Sequence, residues 1–362
     1  MSKQLWQDAA NAVNQAGQIP IPVTDTLIEL LQTVMNEKQA KFIPIFAKPM
    51  NFEEIRAKSS LEQDDLNRML DELMHIGVIT GIPSKKTGQV IYRLMPPIPG
   101  LFEFTLMRGE ETEKEKKLAV LFDRLFGELS ELVQENYDGV VDMFKTGTPI
   151  TRVVPIEAEI KQNVDNILPY ESINRIVDKF DTIAVANCYC RHEKNLLGKK
   201  CEVTDHKENC LFFGQTARFV IDYKFGREIS KEEAKKIVLQ SEEDGLVHKS
   251  FHVKSDIEKD ELAICNCCKC CCGTFENYYR GAVPTHTYTS YLAKVDENEC
   301  TGCEECVEKC PMEAISMGEA ARVEEDKCIG CGVCAYNCPA EAITLERTGK
   351  REVFVPPVRK TA

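Results

Sequence analysis

Long apolar runs are missing from this chain, and none approaches the ~18 residues that a membrane-spanning helix needs. Its first residues, Met-Ser-Lys-Gln-Leu-Trp-Gln-Asp, carry no basic stretch leading into an apolar core, so no secretory leader is read there. Basic charge is short as well. Lysine and arginine number 45 against 58 acidic residues, a net charge of −13. That balance disfavours nucleic acid, whose phosphates need a basic footprint, and favours a protein partner with a basic docking face. A glycine-rich phosphate loop and a dinucleotide fingerprint are also lacking, which leaves flavin or nicotinamide binding without support. Tryptophan occurs once, at Trp6. Cysteine is what the chain has in excess, 18 in 362 residues and many of them adjacent. Such crowding suits thiolate ligation of metal in a reducing cytoplasm, in an organism with anaerobic metabolism, rather than a secreted disulfide framework. At 43% hydrophobic the chain is long enough for two to four cores.

The densest pattern lies between Asp296 and Thr344. Cys300, Cys303, Cys306 and Cys310 precede Pro311, and Cys328, Cys331, Cys334 and Cys338 precede Pro339, so C-x-x-C-x-x-C-x-x-x-C-P occurs twice. The flanks repeat too: Glu-Ala-Ile-Ser follows Met312 and Glu-Ala-Ile-Thr follows Ala340. Three thiolates this close can each hold one corner of an iron–sulfur cube, but the same loop cannot reach the fourth iron. The expected ligand sets are therefore crossed: Cys300, Cys303, Cys306 and Cys338 for one 4Fe–4S cluster, and Cys328, Cys331, Cys334 and Cys310 for the other. Gly302, Gly330 and Gly332 let the backbone come close to a cluster, and Pro311 and Pro339 are expected in the first turn of short helices. A pair of zinc knuckles is the competing reading, but zinc has no need of interleaved Cys-Pro ligands. This last sixth of the chain resembles the bacterial dicluster ferredoxins.

Upstream, Leu27, Leu30, Leu31 and Val34 mark an amphipathic helix, and a second helical stretch runs through Phe46. Asn51 with Glu54 signals one helix start and Ser60 with Gln63 another, the latter turning Leu66, Met69, Leu70, Leu73 and Ile76 inward. A hairpin is expected around Ser84–Gly88, between Val78-Ile79-Thr80 and Val90-Ile91-Tyr92. The order over residues 24–95 resembles a winged helix-turn-helix. Its reading face would present Glu62, Asp64, Asp65, Asp71 and Glu72 against Arg68 alone, so protein docking or dimerisation is expected and specific DNA binding is not. Pro96, Pro97, Pro99 and Gly100 suggest a boundary. Leu118, Phe122, Leu125, Leu129 and Leu132 then form an a/d seam of barely two heptads, which leaves a homo-oligomer open but more commonly packs on its own domain.

Eight of the cysteines belong to the repeat and ten lie between Cys188 and Cys272. They are Cys188, Cys190, Cys201, Cys210, Cys265, Cys267, Cys268, Cys270, Cys271 and Cys272, and so many soft donors point to a further site, a third 4Fe–4S cluster or zinc. Cys190, Cys201 and Cys210 with members of the 265–272 run are the expected ligands. Arg191 and His192 read as salt-bridging and surface residues, and His206, His248 and His252 as weak ligand candidates. From about Ala184 onward the chain resembles ferredoxin-containing proteins of anaerobes that carry C-x-C-R and C-N-C-C-x-C-C-C segments. That resemblance implies redox cofactors and no particular reaction.

The chain thus reads as an α+β multidomain protein. A winged-helix-like domain is expected over 1–107, a helical linker over 108–149, a cysteine-rich α/β domain over 150–290, a dicluster ferredoxin over 291–345 and a tail over 346–362. Electron transfer alongside a partner oxidoreductase is the leading function. The rivals are an enzyme with an open metal position at the middle cysteines and a redox-sensing winged-helix regulator.

Overall fold

The computed structural model describes residues 2–19, 21–160, 167–252 and 261–360. They divide into two units, Met1–Leu132 with Ala186–Lys200 and Gln215–Arg227, and Val133–Val185 with Cys201–Gly214 and Glu228–Ala362.

In the first unit, helix Ser2–Gln15 buries Trp6, Ala9, Ala10 and Val13, apolar positions spaced so as to share one face. Helix Asp25–Val34 starts at Thr24, whose hydroxyl accepts the Leu27 N–H. Capping boxes open the next two helices, Asn36 with Gln39 at Glu37–Phe42 and Asn51 with Glu54 at Phe52–Lys58. The cap expected at Ser60 does not form. Helix Gln63–His75 begins directly after Glu62 without a side-chain cap, and in the turn before it Ser59 accepts the Leu61 N–H. Its buried face is Leu66, Leu70, Leu73 and Met74, while Met69 and Ile76 are only half-buried. Strands β1 (Met50–Asn51), β2 (Ile79–Pro83) and β3 (Val90–Leu94) form an antiparallel sheet in the order β1-β3-β2. The unit runs unbroken through the expected boundary at 107 and into helix Glu113–Glu135. There Phe102 meets Phe122 and Phe126 edge-on at centroid separations of 5.0 and 5.1 Å, and the heptad seam is buried from Leu118 to Leu129, with Leu132 half-buried.

Burial raises the Glu103 carboxyl from 4.5 to about 7, although the Gly100 N–H donates to it. Between those two values the folded chain keeps a proton that the unfolded chain has released. The stability that this group contributes is therefore complete below pH 4.5 and is lost as pH rises through 7. Glu103→Gln is expected to stabilise the protein by about 1–2 kcal/mol at pH 8 and to change little at pH 4, read from thermal unfolding at the two pH values.

The remaining strands are β4 (Thr151–Val154), β5 (Ile183–Asn187), β6 (Glu208–Phe213), β7 (Arg227–Ile229), β8 (Val247–His252), β9 (Glu261–Cys267), β10 (Thr285–Val295), β11 (Ile315–Met317), β12 (Ala321–Val323) and β13 (Ile343–Val355). Eight of them make one sheet, ordered β13-β10-β4-β8-β9-β6-β5-β7, and β11 pairs with β12 separately. Within the large sheet β10 and β4 run parallel, whereas β10–β13, β4–β8, β8–β9 and β9–β6 are antiparallel. Val154, Val185, Leu211, Phe213 and Ile264 of the sheet pack against Ile173, Ile176 and Val177 of helix Ile173–Asp178 and against Ala234 and Val238 of helix Lys231–Glu243. Ser230 caps the latter helix by accepting the Glu233 N–H.

β10 and β13 pair from Thr285↔Val355 to Val295↔Ile343. The cysteine repeat is thus an insertion at the end of a two-stranded ribbon. The boundaries expected after 290 and 345 fall inside those strands, and residues 346–355 form the outer strand of the sheet rather than a tail. Glu346, Arg347, Lys350, Arg351 and Glu352 made that stretch look like solvent-borne chain. Glu346, Lys350 and Glu352 are exposed, and exposed charge along an edge strand keeps it from pairing further.

Candidate metal centres

The two halves of the cysteine repeat fold alike. Left-handed backbone recurs at a constant offset: Gly302 and Gly330 at φ 70° and 64°, Glu304 and Gly332 at 64° and 84°, Glu313 and Glu341 at 50° and 53°. Each Cys-Pro step is followed by a turn in which Glu313 or Glu341 donates its N–H to the carbonyl of Cys310 or Cys338, at 3.3 and 3.1 Å. Pro311 and Pro339 therefore occupy the second position of tight turns, not helix starts, because the left-handed glutamate two residues later bars a helix. The short helices come earlier, at Glu305–Lys309 and Val333–Tyr336.

Two cavities open inside this module. One is lined by Cys300, Cys303, Cys306 and Cys338, the other by Cys310, Cys328, Cys331 and Cys334. Each collects three cysteines of one half and the last cysteine of the other. Backbone N–H groups point at sulfur in both, Ala321 to Cys300 at 3.5 Å and Ala314 to Cys310 at 3.3 Å. Their surroundings differ. Cys303 is exposed, and the Ala321 and Gly302 N–H groups hold the Cys300 thiol below its usual range. The second set is wholly buried, and desolvation pushes Cys331 up to about 12 and Cys334 well above its ordinary value. Soft thiolates around cavities with inward N–H donors are a donor set suited to iron–sulfur clusters.

The ten middle cysteines do not gather as one group. Cys188 and Cys190 belong to the first unit, where Cys188 precedes helix Tyr189–Leu196 and Cys190 lies within it, both buried. In the second unit Cys210 and Cys265 face each other across β6 and β9, and Cys267 follows on the same face as Cys265. Cys272 Sγ is 3.2 Å from Thr274 Oγ1. The remaining four converge: Cys201, Cys268, Cys270 and Cys271 have all their sulfurs within 4.8 Å of one another. Cys201 lies 3.7 Å from Cys268 and 3.6 Å from Cys270, and Cys270 lies 3.6 Å from Cys271. A turn over Lys269–Cys271 ends the alternation of β9 and lets neighbouring residues face one centre. Hydrogen bonds from the other thiols and the Thr204 N–H pull Cys201 well below its usual range, and the Glu202 N–H donates to Cys270.

Sequence reasoning missed what fastens this group. Thr204 Oγ1 donates to Asp244 at 2.6 Å and His206 Nδ1 sits 2.8 Å from the same carboxylate, which ties the Cys201 loop to the end of helix Lys231–Glu243. His206 is thus a partner of Asp244. His248 Nδ1 is 2.6 Å from Asn266 Oδ1, and His192 Nε2 is 2.8 Å from the Glu110 carbonyl, buried rather than at the surface. Burial lowers His252 to about 4, so its ring stays neutral. Arg191 is buried as well.

No helix among the described residues is long and apolar enough to cross a membrane. No curated protein and no solved structure matches the chain. Residues 299–342 match the family described as the 4Fe-4S dicluster domain. The match spans both halves of the repeat and all eight of its cysteines, so this part of the chain is similar to iron–sulfur dicluster domains.

Proposed function

We propose that the protein transfers electrons through two 4Fe–4S clusters, one held by Cys300, Cys303, Cys306 and Cys338 and the other by Cys328, Cys331, Cys334 and Cys310. The observation that carries this reading is the pair of cavities, each lined by one of these crossed sets. The clusters supply one-electron storage when bound. The chain's own residues fix the thiolates, aim N–H groups at Cys300 and Cys310, and keep water from Cys331 and Cys334. N–H donors and solvent favour the more negative reduced state, while burial disfavours it. The set that contains exposed Cys303 therefore has the higher potential and faces the partner.

A partner with a basic docking face fits the charge there. Residues 296–344 hold twelve carboxylates against three basic side chains, and Glu304 and Glu308 are exposed beside Cys303. Electron transfer to a lysine-ringed cytochrome used as acceptor is expected to slow about tenfold between low and high salt, and Glu304→Lys with Glu308→Lys should slow it at low salt alone. A salt-independent rate in stopped-flow absorbance would rule out this docking face.

The winged-helix-like arrangement of the first unit serves protein contact in this reading, within a reducing cytoplasm. Glu62 at the N-cap and the four carboxylates of helix Gln63–His75 are exposed, and Arg68 is paired with Asp65 at 3.5 Å. A sequence-selective mobility shift with DNA would instead favour a redox-sensing regulator.

A further inference from the structure

We propose that Cys201, Cys268, Cys270 and Cys271 bind one mononuclear divalent ion, zinc or iron, in a closed tetrahedral tetrathiolate site, and that no third cubane forms there. The sulfur spacing decides the nuclearity. Thiolates bonded to one ion at about 2.3 Å stand at the corners of a tetrahedron whose edges are about 3.8 Å. The contacts here are 3.7, 3.6 and 3.6 Å. A cubane would need four irons and four sulfides inside that group, and sulfurs already in van der Waals contact leave no room for them. Among the described residues neither dicluster set closes to the 4.8 Å mutual spacing of these four sulfurs; each lines an open pocket instead.

The chemistry of the donors agrees with the geometry. Four soft thiolates select zinc or iron over magnesium or calcium. Leu246 is fully buried and packs against the group, which keeps water from a fifth position. With four protein ligands no coordination position stays open, so the site is not where a metal-activated water or substrate binds. That argues against an active site at these four cysteines.

The site also has a mechanical consequence. Lys269, between two of the ligands, forms a 2.8 Å ion pair with Glu313, the left-handed residue of the turn that begins at Cys310. Tyr279 Oη donates to the Pro311 carbonyl in that turn at 2.8 Å. An ion that fixes the 268–271 turn thereby braces the loop carrying one cysteine of the buried dicluster set. With iron the site also stores an electron beside that set; with zinc it is a brace alone.

X-ray absorption at the zinc and iron edges of the full-length protein, purified without oxygen, tests the proposal. At the zinc edge the expected result is four sulfurs at about 2.3 Å and no metal neighbour. Zinc knuckles in the repeat would give the same signal, so the zinc must disappear in Cys201→Ser, which leaves all eight repeat cysteines in place, for it to count for this site. If the ion is iron, total iron exceeds acid-labile sulfide by one per chain, which also supports the site. Iron matched by sulfide in the amount of three cubanes would overturn the proposal, as would a full-length protein that holds no ion beyond the two clusters. Cys201→Ser should lose the ion while the dicluster iron is retained. Should that variant fail to fold, Thr204→Val gives a second reading: it removes a brace and leaves every ligand, so zinc extraction by a chelator is expected to quicken about tenfold.

Discussion

Cys338→Ala is expected to abolish the cluster at Cys300, Cys303 and Cys306, although Cys338 lies in the other half of the repeat. The cavity that Cys338 lines is theirs, and Ala340, Ala342 and Ile343 behind it belong to the same wall. Alanine offers no electron pair, and this cavity reaches the surface at Cys303, so a three-thiolate remnant would be open to solvent. The cluster at Cys328, Cys331 and Cys334 keeps Cys310 and should survive in its buried cavity. Half of the module's iron and sulfide is lost in the expected outcome, together with the higher-potential half of its redox titration. Mössbauer and EPR spectra of anaerobic protein distinguish the sets, since the buried set keeps its signal. Loss of the signal from the buried set instead would mean that each half ligates its own cluster.

Which cysteines line one pocket was legible where their spacing is local in sequence, and the grouping assembled by tertiary folding was not. The C-x-x-C-x-x-C spacing confines three thiolates to one loop, and the repeat supplies a fourth from a matching position. In the middle of the chain the 265–272 run stood out as a metal-ligand candidate, but its division did not. Strand parity carries Cys265 and Cys267 to one face, and only the turn at Lys269 gathers Cys268, Cys270 and Cys271. Cys201 joins them from 67 residues away, and nothing near it in sequence separates it from Cys190 or Cys210. The hairpin of β2 and β3 announced itself by its turn residues and flanking apolar runs. β13 did not, because a charged edge strand and a solvated tail share one composition.

Gly330→Ala is expected to be severe and its counterpart Gly302→Ala mild, although both glycines hold the same left-handed backbone at φ 64° and 70°. Any L-residue there meets a strain of about 1–2 kcal/mol. The surroundings separate the two. A Cβ on Gly302 would meet no other protein atom within 4 Å, whereas one on Gly330 would lie 2.1 Å from the Tyr291 carbonyl oxygen and 2.6 Å from Thr289 Oγ1. That carbonyl cannot retreat easily. It belongs to β10 beside the register shift between Thr289 and Tyr291, and Arg351 holds it by a 3.4 Å hydrogen bond while binding the Cys328 carbonyl at 2.6 Å. Relief must therefore come from the loop that carries Cys328 and Cys331, which would draw both thiolates away from their cavity. Strain and overpacking together destabilise Gly330→Ala by about 3–5 kcal/mol, against about 1–2 for Gly302→Ala. Thermal unfolding of anaerobic protein followed at the visible absorbance of the clusters reads the difference. Equal losses in the two variants would mean that the close approach of Gly330 to β10 has no part in holding the buried site.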